Sequence, residues 1–349
     1  AQLRKSSGVK AYDDAVARAI LKSSPLPRPD RATAAKYRRE AAGMRAAVNA
    51  HFWDGDWYVR ATKDSGEVIG SRRCRDGRIF LNAQTWAILS GVVPKRRLPR
   101  MLRAMERHLY KRYGPLLLAP AYRRPDAAIG YLTRYAPGSR ENGGLYTHAG
   151  LWAVQAECLL GRAETAWRLY RSFCPVRRGM RPDLYKVEPY VMPGNVDGPD
   201  SPHFGRGGWT WYTGSAAWAF RVGTEWLLGV RPTYDGLLVR PCLPAGWKGF
   251  TMKRTFRGSV YRITVRAGAA RPGVRVDGRP QRSDLVPAFG DGREHTVEVA
   301  LAARRTRRAA DRRGREMRRR LCRADRARHG RGAGPPPALI QAGESPSKR

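Results

Sequence analysis

The sequence predicts a mainly α chain, a partial α/α toroid followed by a small antiparallel β domain. Three observations predict it. Apolar residues recur at helical spacing from about Thr33 to Leu228. The segments between those helices are long and rich in Gly, Pro and aromatic residues. After Pro232 the apolar period changes from helical to alternating. Helices joined by long, chemically loaded loops suit a toroid whose loops build a site at one end.

The elements follow in order. Residues 1–30 are left unplaced, because Pro25, Pro27 and Pro29 break any helix there. Residues 31–232 form the helical domain. Its first helix starts near Thr33, with Tyr37, Ala41, Met44 and Val48 on one face. Leu98, Leu102, Met105 and Leu109 mark a second. A third runs from about His148 to Leu160, and a fourth from Ala163 to Phe173. A fifth starts near Thr213, a natural N-cap, and ends near Leu228 before Gly229 and Pro232. Residues 233–301 form the β domain. Tyr261, Ile263 and Val265 alternate with polar residues, as do Val297, Val299 and Leu301, and Asp277-Gly278 is a hairpin turn. Residues 302–349 form a basic tail, expected to be disordered, with 16 basic and 4 acidic residues from Arg304 onward.

Composition bounds the function. Ten Trp and 42% hydrophobic residues indicate a packed globular body. No apolar run has the length of a membrane span, and residues 1–10 have no signal-peptide core. The scattered Cys74, Cys158, Cys174, Cys242 and Cys322 have no metal-ligand spacing and read as free thiols, which points to a reducing, cytoplasmic location. A net charge of +38 would attract polyanions, yet no nucleic-acid motif occurs, which argues against a nucleic-acid partner.

Three loop segments carry candidate chemistry. Ser139-Arg140-Glu141-Asn142-Gly143-Gly144-Leu145-Tyr146-Thr147-His148 sets a cation, a carboxylate, an amide and an imidazole around two glycines ahead of a helix. A polar turn with His148 opening the helix would use the same residues. Gly205-Arg206-Gly207-Gly208-Trp209-Thr210-Trp211-Tyr212-Thr213-Gly214 ends at a helix start, where Thr213 and Gly214 could offer a hydroxyl and an N–H to an oxyanion while Trp209, Trp211 and Tyr212 stack on sugars. An aromatic-rich capped helix start in the core fits equally. Val187-Glu188-Pro189-Tyr190-Val191 places a carboxylate beside an aromatic ring, a pair that suits sugar hydroxyls or an ordinary surface.

Together these segments resemble the inverting glycoside phosphorylases that include cellobiose phosphorylase, glycoside hydrolase family 94. The resemblance runs from about Tyr37 to Val265. It also takes in Phe52-Trp53-Asp54-Gly55-Asp56-Trp57-Tyr58, Gly77 to Trp86, Trp209 to Trp218, and Asp235-Gly236-Leu237-Leu238 with Pro241-Cys242. It implies the C-terminal half of an (α/α)6 barrel followed by a jelly-roll-like β domain. It assigns phosphate binding to His148, Thr213 and Gly214, and sugar binding to Glu141, Arg140, Glu188 and Tyr190. Arg140 stands where cellobiose phosphorylase has Lys, and Gly194 where it has a sugar-contacting Gln. Met192 to Pro202, with Asn195, Asp197 and Asp200, falls near the acceptor side.

The implied reaction is direct displacement, in which a catalytic Asp protonates the glycosidic oxygen and phosphate attacks the anomeric carbon from the opposite face. Inorganic phosphate is then a co-substrate, with no other cofactor or metal. The partners are a disaccharide or β-glucan, and the family implies a homodimer. The family's general acid lies in a Trp-Asn-Asp segment upstream of Trp53-Asp54-Gly55. No such segment occurs here, and Asp13 and Asp14 lack that context, so no catalytic residue is assigned and the chain reads as a C-terminal portion. The alternatives are a non-catalytic sugar- or phosphate-binding remnant, the phosphorylase-like domain of a cyclic β-1,2-glucan synthase, and nucleic-acid binding through the Arg-rich tail.

Overall fold

The computed structural model describes residue 14 and residues 29–211 and 214–302. The basic tail, most of the unplaced N-terminal segment, Cys322, Tyr212 and Thr213 lie outside the described residues.

The helical part begins with α1 (Arg31–His51). Asp30 caps it: its carboxylate accepts from Thr33 N at 2.8 Å and from Thr33 Oγ1 at 2.7 Å. The stripe read from the sequence is present but mostly uncovered. No residue of α1 is buried, Tyr37 and Met44 are 62% and 71% exposed, and only Val48 packs on the core. The Trp53–Tyr58 loop follows. Asp54 closes it by accepting from Ser71 Oγ and Arg72 N, and Trp57 Nε1 donates to Gly70 O.

A helix that the periodicity did not indicate comes next, α2 (Leu81–Leu89). Its fully buried Gln84 accepts from Tyr58 N and donates to Tyr58 O, stapling the preceding loop to the helix. Its buried side carries the polar Gln84 and Thr85, while the apolar Trp86 lies on the uncovered side, so no polar face alternates with an apolar one. By contrast α3 (Leu98–His108) and α5 (Ala163–Phe173) are amphipathic; α3 buries Leu102 and Met105 of its predicted stripe, and α5 buries Ala166, Leu169 and Phe173.

The helix α4 (Thr147–Leu159) is the centre of the helical core and contacts α2, α5 and α8. Gly150 admits the Phe173 ring, which a Cβ would meet at 2.0 Å. At its far end the buried Glu157 accepts from Tyr110 Oη at 3.0 Å and pairs with Arg162 Nε at 2.7 Å. Burial raises the Glu157 pKa, and Arg162 opposes that shift. Two short helices follow, α6 (Pro175–Gly179) and α7 (Pro182–Tyr185). The last, α8 (Ser215–Val222), starts slightly later than expected, with Gly214 at its N-cap position, and runs on as a π turn, Gly223–Leu227.

Short strands tie the loops together. One small sheet is antiparallel in the order β1 (Leu145–Tyr146), β2 (Asn195–Val196), β3 (Gly207–Gly208).

The second core is built by strands. β4 (Val230–Pro232), β5 (Gly236–Val239) and β10 (Leu285–Pro287) form one sheet. β6 (Gly249–Phe256), β7 (Ser259–Ala269), β11 (Glu294–Ala302), β8 (Gly273–Val276) and β9 (Arg279–Pro280) form another, in that order. Tyr261, Ile263, Val265, Val297 and Val299 point inward, as their alternation predicts. Asp277 and Gly278 take left-handed φ of 48° and 77° in the turn between β8 and β9. The expectation of an all-antiparallel sheet is corrected, because β7 and β11 pair in parallel. The β8–β9 hairpin and β10 intervene in sequence, so the chain re-enters the sheet in its original direction. No helix among the described residues is long and apolar enough to cross a membrane.

His295, at the start of β11, lies between two carboxylates: Nδ1 is 2.8 Å from Asp277 and Nε2 is 3.1 Å from Asp291. Its ring stacks on Phe289 with centroids 3.9 Å apart. The Asp277 hydrogen bond raises the His295 pKa most, with Asp291 adding to it against desolvation. A raised folded pKa stabilises fully below the ordinary value of about 6.5 and is lost as pH rises through the folded value. Melting temperature should therefore fall between pH 6 and pH 9 through this group. His295→Gln should lower the melting temperature more at pH 6 than at pH 9. Equal losses at both pH values in circular-dichroism melts would contradict this.

Candidate functional site

The small sheet joins the three segments that carry the predicted residues. Leu145 and Tyr146 pair with Val196 and Asn195, which pair in turn with Gly207 and Gly208. Thr147 N donates to Gly194 O, and Gly194 N donates to the carbonyls of Gly208 and Trp209, all at 3.0 Å. A Cβ on Gly194 would lie 2.9 Å from Trp209 Cβ, so the close approach of the two loops requires glycine there.

Upstream of β1 the loop folds sharply. Gly138, Arg140 and Gly143 all have positive φ. Asn142, fully buried, pins the loop: Oδ1 accepts from Tyr122 N at 2.7 Å, and Nδ2 donates to Tyr122 O and Tyr135 O at 2.8 Å each. The turn presents Arg140 between two rings, with its guanidinium carbon 3.8 Å from the Trp209 centroid and 4.5 Å from Tyr135. Arg140 Nε lies 3.5 Å from Glu141 Oε2, and neither atom makes a hydrogen bond within the protein. Burial, followed by the Glu141 charge, pushes the Tyr146 phenol up, so it stays protonated.

Downstream of β1, His148 occupies the first turn of α4. Its ring contacts Trp152 and Trp218, with centroids 5.2 and 5.7 Å away. Gly214 lies against it, and a Cβ there would be 3.2 Å from His148 Cε1. The structure thus brings His148 and Gly214 together. Desolvation lowers the His148 pKa, so the ring is neutral near neutral pH. Thr147 Oγ1 and Trp152 Nε1 are buried without protein partners. Beyond Trp152 a cleft of about 530 Å³ is lined by Tyr58, Asn82 and Trp86, among others.

Glu188 and Tyr190 meet at a third point. Trp211 Nε1 donates to Glu188 Oε1 at 2.9 Å and holds that carboxyl below its usual range. The Tyr190 and Trp211 rings meet edge to face at 6.2 Å. Asp197 is held among Ser139 Oγ, Ser201 Oγ and Asn195 Nδ2. It is thereby a strut between the loops.

Sequence reasoning named Arg140, Glu141, His148, Gly214, Glu188 and Tyr190, and read Trp209 and Trp211 as sugar-stacking rings; the structure sets those two rings against Arg140 and Glu188. Trp152 could have been found, since it follows His148 by one helical turn. Tyr135 and Asn142 gave no signal of their partners. A larger cleft of about 660 Å³, between the Trp53–Cys74 region and Tyr122, is lined by none of the named residues.

Residues 24–229 match the Glycosyl hydrolase 94 superfamily, catalytic domain. The chain belongs to this superfamily. A solabiose phosphorylase from Paenibacillus borealis is 40% identical over 267 residues, covering 75% of this chain and 34% of that protein. An N,N'-diacetylchitobiose phosphorylase from Vibrio furnissii is 36% identical over 280 residues, covering 78% and 35%. The cyclic beta-(1,2)-glucan synthase NdvB of Rhizobium meliloti (strain 1021) is 39% identical over 246 residues, covering 68% and 8%. The chain therefore spans about a third of the length of the two phosphorylases. A separate match, TonB C terminal, covers residues 1–41 and includes none of the residues of the site.

Asn142→Ala removes three buried hydrogen bonds and leaves an N–H and two carbonyls without partners. It should destabilise the chain by about 3 kcal/mol. Urea unfolding checks this, and a loss below about 1 kcal/mol would show that the loop is held by something else.

Proposed function

We propose that the chain forms the phosphate- and acceptor-gripping side of an inverting phosphorylase acting on a β-linked glucoside. One observation carries the reading. The β1–β2–β3 sheet gathers Arg140–Glu141, His148 with Gly214, and the Trp209 loop at one place. The superfamily membership and the relatives' names support the same reaction class.

In this reading His148, Gly214 and Thr213 hold phosphate. A neutral imidazole can donate one N–H while its other nitrogen accepts from a phosphate O–H. Arg140, Glu141, Glu188 and Tyr190 hold the sugar. The unpartnered Arg140 Nε and Glu141 Oε2 offer a donor and an acceptor to hydroxyls. A phosphate oxygen bonds to the anomeric carbon from one face while the glycosidic oxygen leaves from the other. The leaving oxygen takes a proton from a general acid, yielding α-glucose 1-phosphate and the acceptor sugar. That balance calls on no cofactor beyond phosphate as co-substrate.

Trp211 stabilises ionised Glu188, which makes that carboxyl a poor proton donor. The general acid is a further group, and no residue here is assigned to it. The helical part is read as a portion of an (α/α)6 barrel and the strands as a jelly-roll-like domain. The functional protein is read as a cytoplasmic homodimer. A second reading, the phosphorylase-like domain of a cyclic β-1,2-glucan synthase, rests on the likeness to NdvB.

The test has two arms on the full chain. Phosphate-dependent release of glucose 1-phosphate from β-linked disaccharides should be absent for this chain alone. Inorganic phosphate should still bind in calorimetry, and His148→Ala should weaken that binding about tenfold, the scale of one charge-assisted hydrogen bond. Release of free glucose by hydrolysis, or phosphate binding indifferent to His148, would overturn the reading. A preference for β-1,2-linked glucans over other β-linkages in binding would favour the second.

A further inference from the structure

Behind β3 lies a third cleft, of about 380 Å³, lined by Arg112, Arg171, Arg177, Arg178, Arg181 and Tyr185 among others. No Asp or Glu lines it. Among the described residues, none of these arginines has an ion pair. Arg178 donates instead to backbone carbonyls, from Nε to Ser172 O at 2.7 Å and from Nη2 to Tyr113 O at 2.6 Å. Those bonds fix the guanidinium in place but leave its charge unneutralised. The nearest acids along the chain are Asp183 on α7 and Glu188, whose carboxylate is engaged by Trp211.

A second observation points the same way. Tyr185 is 1% exposed, yet its hydroxyl has no hydrogen-bond partner. Buried hydroxyls without partners are rare because the desolvation cost is not recovered. Burial holds this phenol up at about 12, so it stays a donor. The cleft therefore concentrates guanidinium charge that no lining carboxylate offsets, together with a buried tyrosine whose hydroxyl has no acceptor.

We propose that this cleft binds a small phosphate-bearing anion, at a site separate from His148 and Gly214. Arg177 and Arg181 line it as exposed side chains, and the less exposed Arg178 and the buried Tyr185 complete the lining. Several forked donors suit a tetrahedral anion with more oxygens and more charge than a carboxylate. The volume is that of a small-molecule pocket, not of a polymer groove. The site is linked to β3, because a Cβ on Gly207 would lie 3.0 Å from Tyr185 Cε2. An occupied cleft thus braces the ribbon from behind. The inference does not rest on the phosphorylase reading.

The test is calorimetric titration of the full chain with inorganic pyrophosphate. Arg177→Glu with Arg181→Glu should weaken binding at least about tenfold. The control pair Arg279→Glu with Arg282→Glu, which makes the same change in net charge on the β8–β9 side, should change it less than about twofold. His148→Ala should leave pyrophosphate binding in place. Tyr185→Phe should weaken it about threefold without lowering the melting temperature, because the hydroxyl has no internal partner to lose. If the paired Arg variants fail to fold by circular dichroism, Tyr185→Phe decides the matter. Equal losses in the two charge-reversal pairs would overturn the proposal, as would loss of binding in His148→Ala. So would sensitivity to Arg177 and Arg181 seen with a single-stranded oligonucleotide but not with pyrophosphate.

Discussion

Backbone pairing among Leu145–Tyr146, Asn195–Val196 and Gly207–Gly208 is the constraint on which the site depends. Each strand is too short to persist alone, and the sheet is held from outside itself. Asn142 anchors one side through three buried hydrogen bonds, and Asp197 ties Ser139 to Ser201 across the loops. Glycine at 138, 194 and 198 lets the backbones approach at distances that a Cβ would forbid. Only with that packing in place do Arg140 and Trp209 meet face to face, and only then does α4 begin where His148 can contact Gly214.

The strain in this region is local and functional in placement. Arg140, Trp209 and Trp211 are non-glycine residues with positive φ, and each carries a side chain assigned to the site. Such conformations cost about 1–3 kcal/mol each and persist where the surroundings over-determine them. Here the compensation is visible. Arg140 is clamped between two aromatic rings, and Trp211 hydrogen-bonds Glu188. The same interactions that hold the strained backbone also aim the groups that would grip a ligand.

Legibility from sequence followed locality. The stripes of α3 and α5 were readable because one face of each is buried and the other solvated. The Asp277-Gly278 turn was readable because its chemistry is contained in two residues. The helix α2 was not, because its buried side holds the polar Gln84 and Thr85 while the apolar Trp86 is exposed. The parallel pairing of β7 with β11 was not, because it joins segments separated by a hairpin and a further strand. In the site, the residue types of Arg140, Glu141 and His148 drew attention, but Tyr135 and Asn142 act through partners distant in sequence.

Charge shows the same division between type and placement. The net charge of +38 would attract polyanions, yet many arginines are occupied internally. Arg162 neutralises Glu157, Arg97 donates to Asn49, Arg254 donates to Val230 O, and Arg140 is committed to Trp209 and Tyr135. An arginine used this way contributes packing and directed hydrogen bonds more than long-range field. The cleft around Arg177, Arg178 and Arg181 differs because its lining contains no acid and its buried tyrosine hydroxyl is unpartnered. What separates a binding surface from a merely basic composition is therefore local. It is the coincidence, around one cleft, of cations without a lining carboxylate and a buried tyrosine whose hydroxyl the fold leaves unsatisfied.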